Sequence, residues 1–190
     1  MLSVQGCRGD MVQRRIYLTL SPPLLCQDEG EDVESVLKFL YLTALIVWLG
    51  GVTFFSFIAA PAVFRTLPTQ EAGRVVGAVF PLYYALGTVA GAVALSVGFL
   101  LRLQAQGGKE KWLLAMALLL VMLGANLYAW RVTLPRTQVL RSEMHSTAAD
   151  PPSTVVAEFR RLHAHAMLLN LVVLLAGVGV VFMAAVTLRL

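Results

Sequence analysis

Long uninterrupted apolar runs dominate the pattern of hydrophobic and polar positions in this chain. The four runs are Phe39–Ala60, Val75–Leu101, Trp112–Trp130 and Ala166–Leu188, and none contains Asp, Glu, Lys or Arg. A hydrocarbon core about 30 Å thick requires about 20 apolar residues at a rise of about 1.5 Å per residue. Because the runs are continuous rather than alternating, they predict helices instead of barrel strands. The pattern therefore predicts an all-α, polytopic membrane protein built as a four-transmembrane-helix bundle.

The composition excludes a soluble domain and makes the lipid bilayer the expected partner. Of the 190 residues, 58% are hydrophobic and only 14% are charged, well outside the usual composition of soluble domains. A chain of this size cannot wrap four such helices in other protein. Lys and Arg sit at helix ends without a basic patch interleaved with aromatics, so headgroup contacts explain the net charge of +4 and no nucleic-acid partner is expected. We expect a multi-pass protein of a bacterial inner (plasma) membrane.

The chain is predicted to have two parts, a polar leader at residues 1–35 and a transmembrane domain at residues 36–190. The two cysteines of the chain, Cys7 and Cys26, both lie in the leader. Two cysteines at this spacing predict neither a disulfide framework nor a metal cluster.

The leader has three interpretations. Arg14-Arg15 resembles a twin-arginine export signal, but Pro22-Pro23 interrupt the apolar stretch that follows and no small-residue cleavage site appears. The leader is otherwise either unstructured or the result of a misassigned start, with the native chain beginning at Val33 or Val36.

Prolines divide the first half of the transmembrane domain. Pro61 lacks the N–H that the preceding turn needs and disfavours helix at the residue before it, so it is expected to end or kink the first helix. Ala62–Pro68 then forms a turn. Ala72–Phe80 is expected as a short interfacial helix or as a bent extension of the second span, which is predicted at Pro81–Leu101.

The other two connections differ in length. Gln104–Lys111 contains Gly107-Gly108 and is short, which makes the second and third spans antiparallel neighbours. Arg131–His163 is the longest connection, and within it Val155–Leu162 is predicted as helix that extends the fourth span beyond the bilayer. Positive charges are nearly balanced between the two sides, so the positive-inside rule leaves the orientation open.

Small residues are expected to let the helices approach one another, because lipid offers no hydrophobic drive between helices. Gly50 and Gly51 lie in the middle of the first span, and Gly87 and Gly91 are four apart on the second. These glycines predict either packing within one chain or a homo-oligomer formed through the Gly87 and Gly91 face.

Polar residues at the third and fourth spans form the candidate functional site. Asn126 and Tyr128 lie late in the third span, and His163 and Asn170 lie on one face at the entry to the fourth. We predict that these four residues form a polar seam. Either they line a site, or they bond across helices and hold the bundle together.

Cofactor ligands are scarce in this sequence. His163 and His165 are two apart, so on a helix they point about 200° apart and cannot chelate one ion. His163 with Met167 offers only two soft ligands. The first three spans contain no histidine for haem, and none of the four runs holds a carboxylate for proton coupling. We therefore expect no metal site, no cofactor and no catalytic residues.

Short motifs follow one another in a particular order across the four spans. In the first half they are Trp48-Leu49-Gly50-Gly51, Phe54-Phe55, Ala60-Pro61, Phe64-Arg65, Leu67-Pro68, Ala72-Gly73 and Phe80-Pro81 with Tyr83. In the second half they are Asn126 with Tyr128, Pro135-Arg136, and Phe159 through Leu162-His163 to Met167 and Asn170. In this order they resemble the transmembrane protein 205-like family over roughly Val36–Ala185.

The resemblance implies a four-helix membrane protein of unknown biochemical function. That family is distantly similar to the copper-resistance D membrane proteins and to the haem-binding J-type protoporphyrinogen oxidases. Those relatives tend to carry a histidine near the start of the first span, where this chain has Tyr41. His163 is the matched position at which inherited ligation can still be tested.

Together these features predict an integral membrane protein of unknown biochemical activity, with a noncatalytic role in binding, scaffolding or small-solute handling. The alternative is a haem- or copper-linked membrane redox protein or a metal exporter.

The absorption spectrum and metal content of the purified protein separate these functions. A noncatalytic binder without cofactor is expected to give no Soret band and equal metal content in the wild type and in His163→Ala. A Soret band, or metal that disappears in His163→Ala, would favour the alternative.

Overall fold

The computed structural model describes residues 28–105, 107–146 and 153–188, and these ranges contain helices and no strand. Four helical rods are long and apolar enough to cross a membrane. The all-α, four-span prediction is therefore confirmed, and the chain is a multi-pass membrane protein. It divides into two units, residues 1–36 and 37–190. In the first unit only 28–36 are described, so Cys7, Cys26 and the export-signal hypothesis lie outside the described residues.

Six α-helices and two single π-helical segments make up the rods. The α-helices are α1 (Asp28–Phe54), α2 (Ala60–Thr66), α3 (Thr69–Gln104), α4 (Lys109–Tyr128), α5 (Leu134–Ser146) and α6 (Ser153–Thr187). The π segment Phe55–Ala59 joins α1 to α2, and the π segment Ala129–Thr133 joins α4 to α5. The first helix thus begins at Asp28 rather than near Val36.

Pro61 does not end the first rod, and Pro135 also lies within a rod. Pro61 and Pro135 each occupy the second position of a new α-helix, two residues after a π segment ends. A proline is tolerated in the first turn of a helix, and a widened turn before it accommodates the ring and the lost hydrogen bond. The helix therefore continues through Pro61 to Thr66, and the chain turns only at Leu67-Pro68.

The structure also defines two further boundaries. Helix α3 runs without interruption through Pro81, so Ala72–Phe80 extends the second span, one of the two predicted alternatives, and is not a separate helix. The predicted long connection Arg131–His163 is helical at both ends, up to Ser146 and again from Ser153. The helix predicted at Val155–Leu162 is confirmed as the beginning of α6.

The short connection between the second and third spans is confirmed. Helix α3 ends at Gln104 and α4 begins at Lys109. Gly108 has a φ of 69° in the left-handed region, which favours glycine because it has no Cβ. Helices α3 and α4 pack against each other, α4 packs most extensively against α6, and α5 also packs against α6.

The core of the bundle is built from one face of each rod. Its buried residues recur three or four positions apart, as one face of a helix requires. They include Tyr41, Ala44, Leu45, Trp48 and Val52 of α1; Ala90, Ala94 and Val97 of α3; Trp112, Leu119 and Met122 of α4; and Val173, Val180 and Ala184 of α6. The opposite faces carry large exposed apolar side chains such as Ile46, Leu82 and Leu175, as expected where lipid is the solvent.

Two of the four predicted packing glycines lie at a helix contact. The indole of Trp48 lies on Gly87 and Gly91 of α3, where an added Cβ would come within 2.8 Å of Trp48 Nε1 and within 2.6 Å of Trp48 Cζ3, respectively. The face proposed for a homo-oligomer is therefore covered by the chain itself. An added Cβ at Gly50 or Gly51 would meet nothing within 4 Å among the described residues, so neither glycine lies at a close helix contact within the described part of the chain.

The rods are longer than a bilayer is thick. Helix α3 has 36 residues, which makes it about 54 Å long against a hydrocarbon core of about 30 Å. At one end the uncharged stretches stop at Arg65, Arg74, Arg131 and Arg161, and helical turns continue beyond them. We call this the arginine end: α2 ends there, α3 and α6 begin there, and α5 lies there.

A pair of glycine substitutions tests the packing of Trp48. Gly91→Ala is expected to lower the free energy of unfolding by about 1–3 kcal/mol, because the new methyl group overpacks the indole. Gly124→Ala is the matched control. Nothing lies within 4 Å of an added Cβ at Gly124, so this change is expected to be neutral or to stabilise by up to about 1 kcal/mol through helix propensity. Thermal unfolding in detergent measures both, and equal effects would contradict the packing.

Candidate functional site

A cleft of about 590 Å³ lies at the arginine end, within the usual size range of small-molecule sites. It lies between the first turns of α3, the rod formed by α4 and α5, and the first half of α6. The lining residues that carry the argument below are Gly73, Phe80, Tyr84, Thr133, Arg141, Phe159, His163 and Asn170. On α6 the cleft runs from Phe159 to Asn170, about 16 Å along the helix axis.

Arg141 is the cationic residue at the outer part of the cleft. Its Nη1 donates a hydrogen bond to the backbone carbonyl of Gly73. The guanidinium lies against α3 where Gly73 and Gly77 have no side chain, and an added Cβ at Gly73 would be 3.7 Å from Arg141 Cζ. Two glycines four apart on α3 therefore allow a bulky cation from α5 to reach the helix backbone.

Two rings of α6 continue the arrangement from Arg141. The guanidinium carbon lies 5.8 Å from the centre of the Phe159 ring, a cation–π distance. The Phe159 ring is stacked on the ring of His163, with centroids 6.3 Å apart and planes at 6°. Because Phe159 and His163 are four residues apart, they occupy neighbouring turns of one helix face. The result is an arginine–phenylalanine–histidine row along one wall.

The inner part of the cleft is mostly apolar, with a few placed polar groups. Tyr84 and Phe80 of α3 stack at 5.7 Å, and this aromatic cluster extends to Phe55 of the first π segment, 5.3 Å from Phe80. Tyr83 Oη donates to Asn170 Oδ1 at 3.3 Å. The cleft is thus polar and cationic at its outer end and aromatic or aliphatic at its inner end.

The second π segment contributes to the inner wall. Thr133, its last residue, is 3% exposed and lines the cleft. Its carbonyl accepts a hydrogen bond from Thr137 Oγ1 at 2.8 Å. Thr133, Thr137 and Arg141 are spaced four apart, so the continuation of the helix past Pro135 puts all three on the cleft side.

The four residues predicted to form a polar seam do not come together. His163 and Asn170 line the cleft, as one face of α6 requires. Asn126 is 4% exposed and belongs to the helix interface instead, and Tyr128 is 54% exposed and points away from the core. The seam is therefore corrected to a two-residue contribution from α6.

Asn126 ties α4 to the backbone of α3. Its Nδ2 donates to the carbonyl of Tyr84 and to Thr88 Oγ1, both at 3.0 Å. Thr88 Oγ1 itself donates to the same Tyr84 carbonyl at 2.8 Å. Gly87 makes this approach possible, since an added Cβ there would be 2.8 Å from Asn126 Oδ1. The structural interpretation of Asn126, a bond between helices, fits this geometry.

Sequence reasoning missed the cleft residues of the second π segment and of α5. Thr133, Thr137 and Arg141 fall in the stretch predicted as a loop. Their four-residue spacing was the available signal, matched on α3 by the equal spacing of Gly73 and Gly77. Within the described ranges, no group of three or more His, Cys, Asp and Glu side chains is arranged to hold a metal ion.

Comparison with known proteins gives two matches. A family described as "Domain of unknown function (DUF4149)" matches residues 43–146, more than half of the chain. An uncharacterized protein of Aquifex aeolicus (strain VF5) is 44% identical over 59 residues, which are 31% of this chain and 45% of that protein. The chain thus matches less than half of the length of that relative. No solved structure matches.

Replacing Asn126 tests its role as a bond between helices. Asn126→Leu is expected to cost about 0.6–1.7 kcal/mol of stability, the range measured for interhelical hydrogen bonds in membrane proteins. Tyr128→Phe, which removes a hydroxyl from an exposed side chain on the same helix, is expected to change stability by less than about 0.5 kcal/mol. Unfolding in mixed micelles measures both variants. No loss in Asn126→Leu would remove this bond as a determinant of the fold.

Proposed function

The chain belongs to the DUF4149 family, whose function is unknown, and we propose that it binds a small amphiphilic molecule in the cleft without transforming it. The observation that carries this proposal is the polarity gradient of the cleft. Thr69, Gln70, Gln138 and Arg141 line its outer end, whereas Val76, Phe80, Ala166 and Met167 line the inner part.

The position of the cleft relative to the bilayer supports the same function. Thr69, Gln70, Gln138 and Arg141 of the outer lining lie beyond the arginines that bound the uncharged stretches, whereas Val76, Phe80, Ala166 and Met167 of the inner lining lie within those stretches. Phe64 and Met167 are 46% and 56% exposed and stand among the lining residues, so the wall includes side chains that face the hydrocarbon. A molecule with one polar and one apolar end would match both environments at once.

The noncatalytic character is part of the proposal. The lining offers an arginine, a histidine, amides and hydroxyls. No carboxylate or thiol stands among the described lining residues, so paired carboxylates and a cysteine nucleophile cannot be assembled from them. Recognition by hydrogen bonds and apolar contact is the chemistry that these side chains supply.

Two finer assignments belong to the same proposal. We place the protein in a bacterial inner membrane, because helical spans are typical of that membrane and barrels of the outer one. The resemblance to the transmembrane protein 205-like family, and through it to copper-resistance D proteins, stays a prediction. A homo-oligomer formed through another face also stays a prediction.

Filling the cleft tests the proposed function. The protein is purified in nanodiscs of bacterial polar lipid and its retained small molecules are identified by native mass spectrometry. Ala166→Trp, which occupies the inner cleft, is expected to lose an amphiphile that the wild type retains. Val178→Trp adds the same indole to the exposed face of α6 and is expected to retain it. Equal occupancy in all three proteins, or none in the wild type, would contradict the proposal.

A further inference from the structure

We propose that the molecule bound in the cleft is a membrane lipid with an anionic head group. The head lies at Arg141, and an acyl chain extends along α6 toward Asn170. This inference rests on the proposed function and names the class of ligand for that same site.

The charge of the lining selects the head group. Arg141 is the cation of the cleft, and its outer neighbours Thr69, Gln70, Thr137 and Gln138 are neutral hydrogen-bonding residues. No Asp or Glu stands among the described lining residues. Glu71 lines a neighbouring depression, which Arg74, Gln138 and Arg141 also line. An arginine fork matches the paired oxygens of a phosphate or carboxylate, which makes an anionic head the complementary partner.

The wider surface of the arginine end favours the same sign of charge. Exposed arginines surround the cleft at Arg65, Arg74, Arg131, Arg136, Arg160 and Arg161. The acidic side chains described at this end are fewer, namely Glu71, Glu143 and Glu158. Basic residues next to a membrane attract anionic lipids by about 1 kcal/mol each near the surface. The positive charge of the arginine end therefore raises the local concentration of anionic lipid around the cleft, which can bind one molecule.

The arginine–phenylalanine–histidine row explains how the Arg141 side chain is held in place. Arg141 is anchored by its bond to the Gly73 carbonyl and by the Phe159 ring. A guanidinium fixed by backbone and ring is oriented before a ligand arrives, which reduces the ordering cost of binding. A guanidinium carries five N–H donors in a planar fork, so the bond to the Gly73 carbonyl does not by itself prevent recognition of an anion.

The inner lining selects a lipid over a soluble anion. Val76, Phe80, Leu134, Ala166 and Met167 offer contacts that a hydrophilic phosphate ester cannot use. Burial of an acyl chain against them contributes roughly 25 cal/mol per Å² of apolar area. A lipid already resides at this depth of the bilayer, so it enters sideways past exposed Phe64 and Met167. The geometry thus favours a ligand that comes from the membrane.

Lipid competition measured on the full chain tests this assignment. The wild type is transferred to nanodiscs that contain equal amounts of phosphatidylglycerol and phosphatidylcholine, and bound lipid is counted by native mass spectrometry. One phosphatidylglycerol is expected to stay bound in preference to phosphatidylcholine. Arg141→Gln is expected to weaken phosphatidylglycerol binding about tenfold. Lys111→Gln, which removes one positive charge from the opposite end, is expected to leave the preference unchanged.

The same test includes a second variant and a displacement measurement. Ala166→Phe narrows the inner cleft, leaves Arg141 intact and is expected to lose the bound lipid, so the test stands even where Arg141→Gln fails to fold. Soluble glycerol 3-phosphate is not expected to displace the lipid. Displacement by that head group alone would overturn the lipid assignment in favour of a free phosphate ester.

The outcomes separate this inference from the proposed function. Retention of lipid in the wild type without a preference for the anionic head would overturn the inference and leave amphiphile binding intact. An equal loss of phosphatidylglycerol in Arg141→Gln and Lys111→Gln would likewise overturn the role of Arg141. Absence of any retained amphiphile in the wild type, with Ala166→Phe indistinguishable from it, would overturn both.

Discussion

The close approach of helices at Gly87 is the constraint on which the rest of the bundle depends. Trp48 of α1 and Asn126 of α4 both approach α3 at this residue, each within 2.8 Å of an added Cβ. A side chain at Gly87 would collide with both, so the absence of a Cβ lets three helices meet. The amide of Asn126 then bonds to the Tyr84 carbonyl. Lipid supplies no hydrophobic drive for this association, and shape and hydrogen bonding therefore determine it.

The arginine end depends on this contact through the path of the fourth and fifth helices. Asn126 bonds α4 to α3, and the π segment at Ala129–Thr133 continues the rod from α4 into α5 without a break. Helix α5 then carries Arg141 back over α3, where Gly73 and Gly77 leave room for the guanidinium. Two glycine pairs on α3 thus have separate roles. Gly87 and Gly91 allow close helix packing in the membrane core, and Gly73 and Gly77 leave room for the Arg141 guanidinium outside it.

The cleft has both polar and apolar walls because the helical rods are longer than the hydrocarbon core is thick. Helices confined to the bilayer would present only apolar walls, and helices outside it would present polar ones. Because α3, α6 and the rod formed by α4 and α5 continue past the arginines, one cavity spans both environments. Met167 and Phe80 line its inner part, while Arg141 and Gln138 line the outer part. Its polarity gradient is therefore a property of helix length and position.

The sequence by itself determined the fold class and the spans, because uncharged runs of this length have one stable form in a bilayer. It also determined that Gly87 and Gly91 would pack and that His163 and Asn170 would share a face, since both follow from helical periodicity. Only the tertiary structure decided that Asn126 bonds to α3, that Tyr128 points outward, and that Gly87 and Gly91, rather than Gly50 and Gly51, have a described side chain within 4 Å of an added Cβ. The sequence also did not show that the helix continues past Pro135. A π segment before this proline keeps the helix intact, and the continuous helix places Arg141 in the cleft. Local rules for proline predict a break there, whereas packing of the continuous rod against α6 decides in favour of helix.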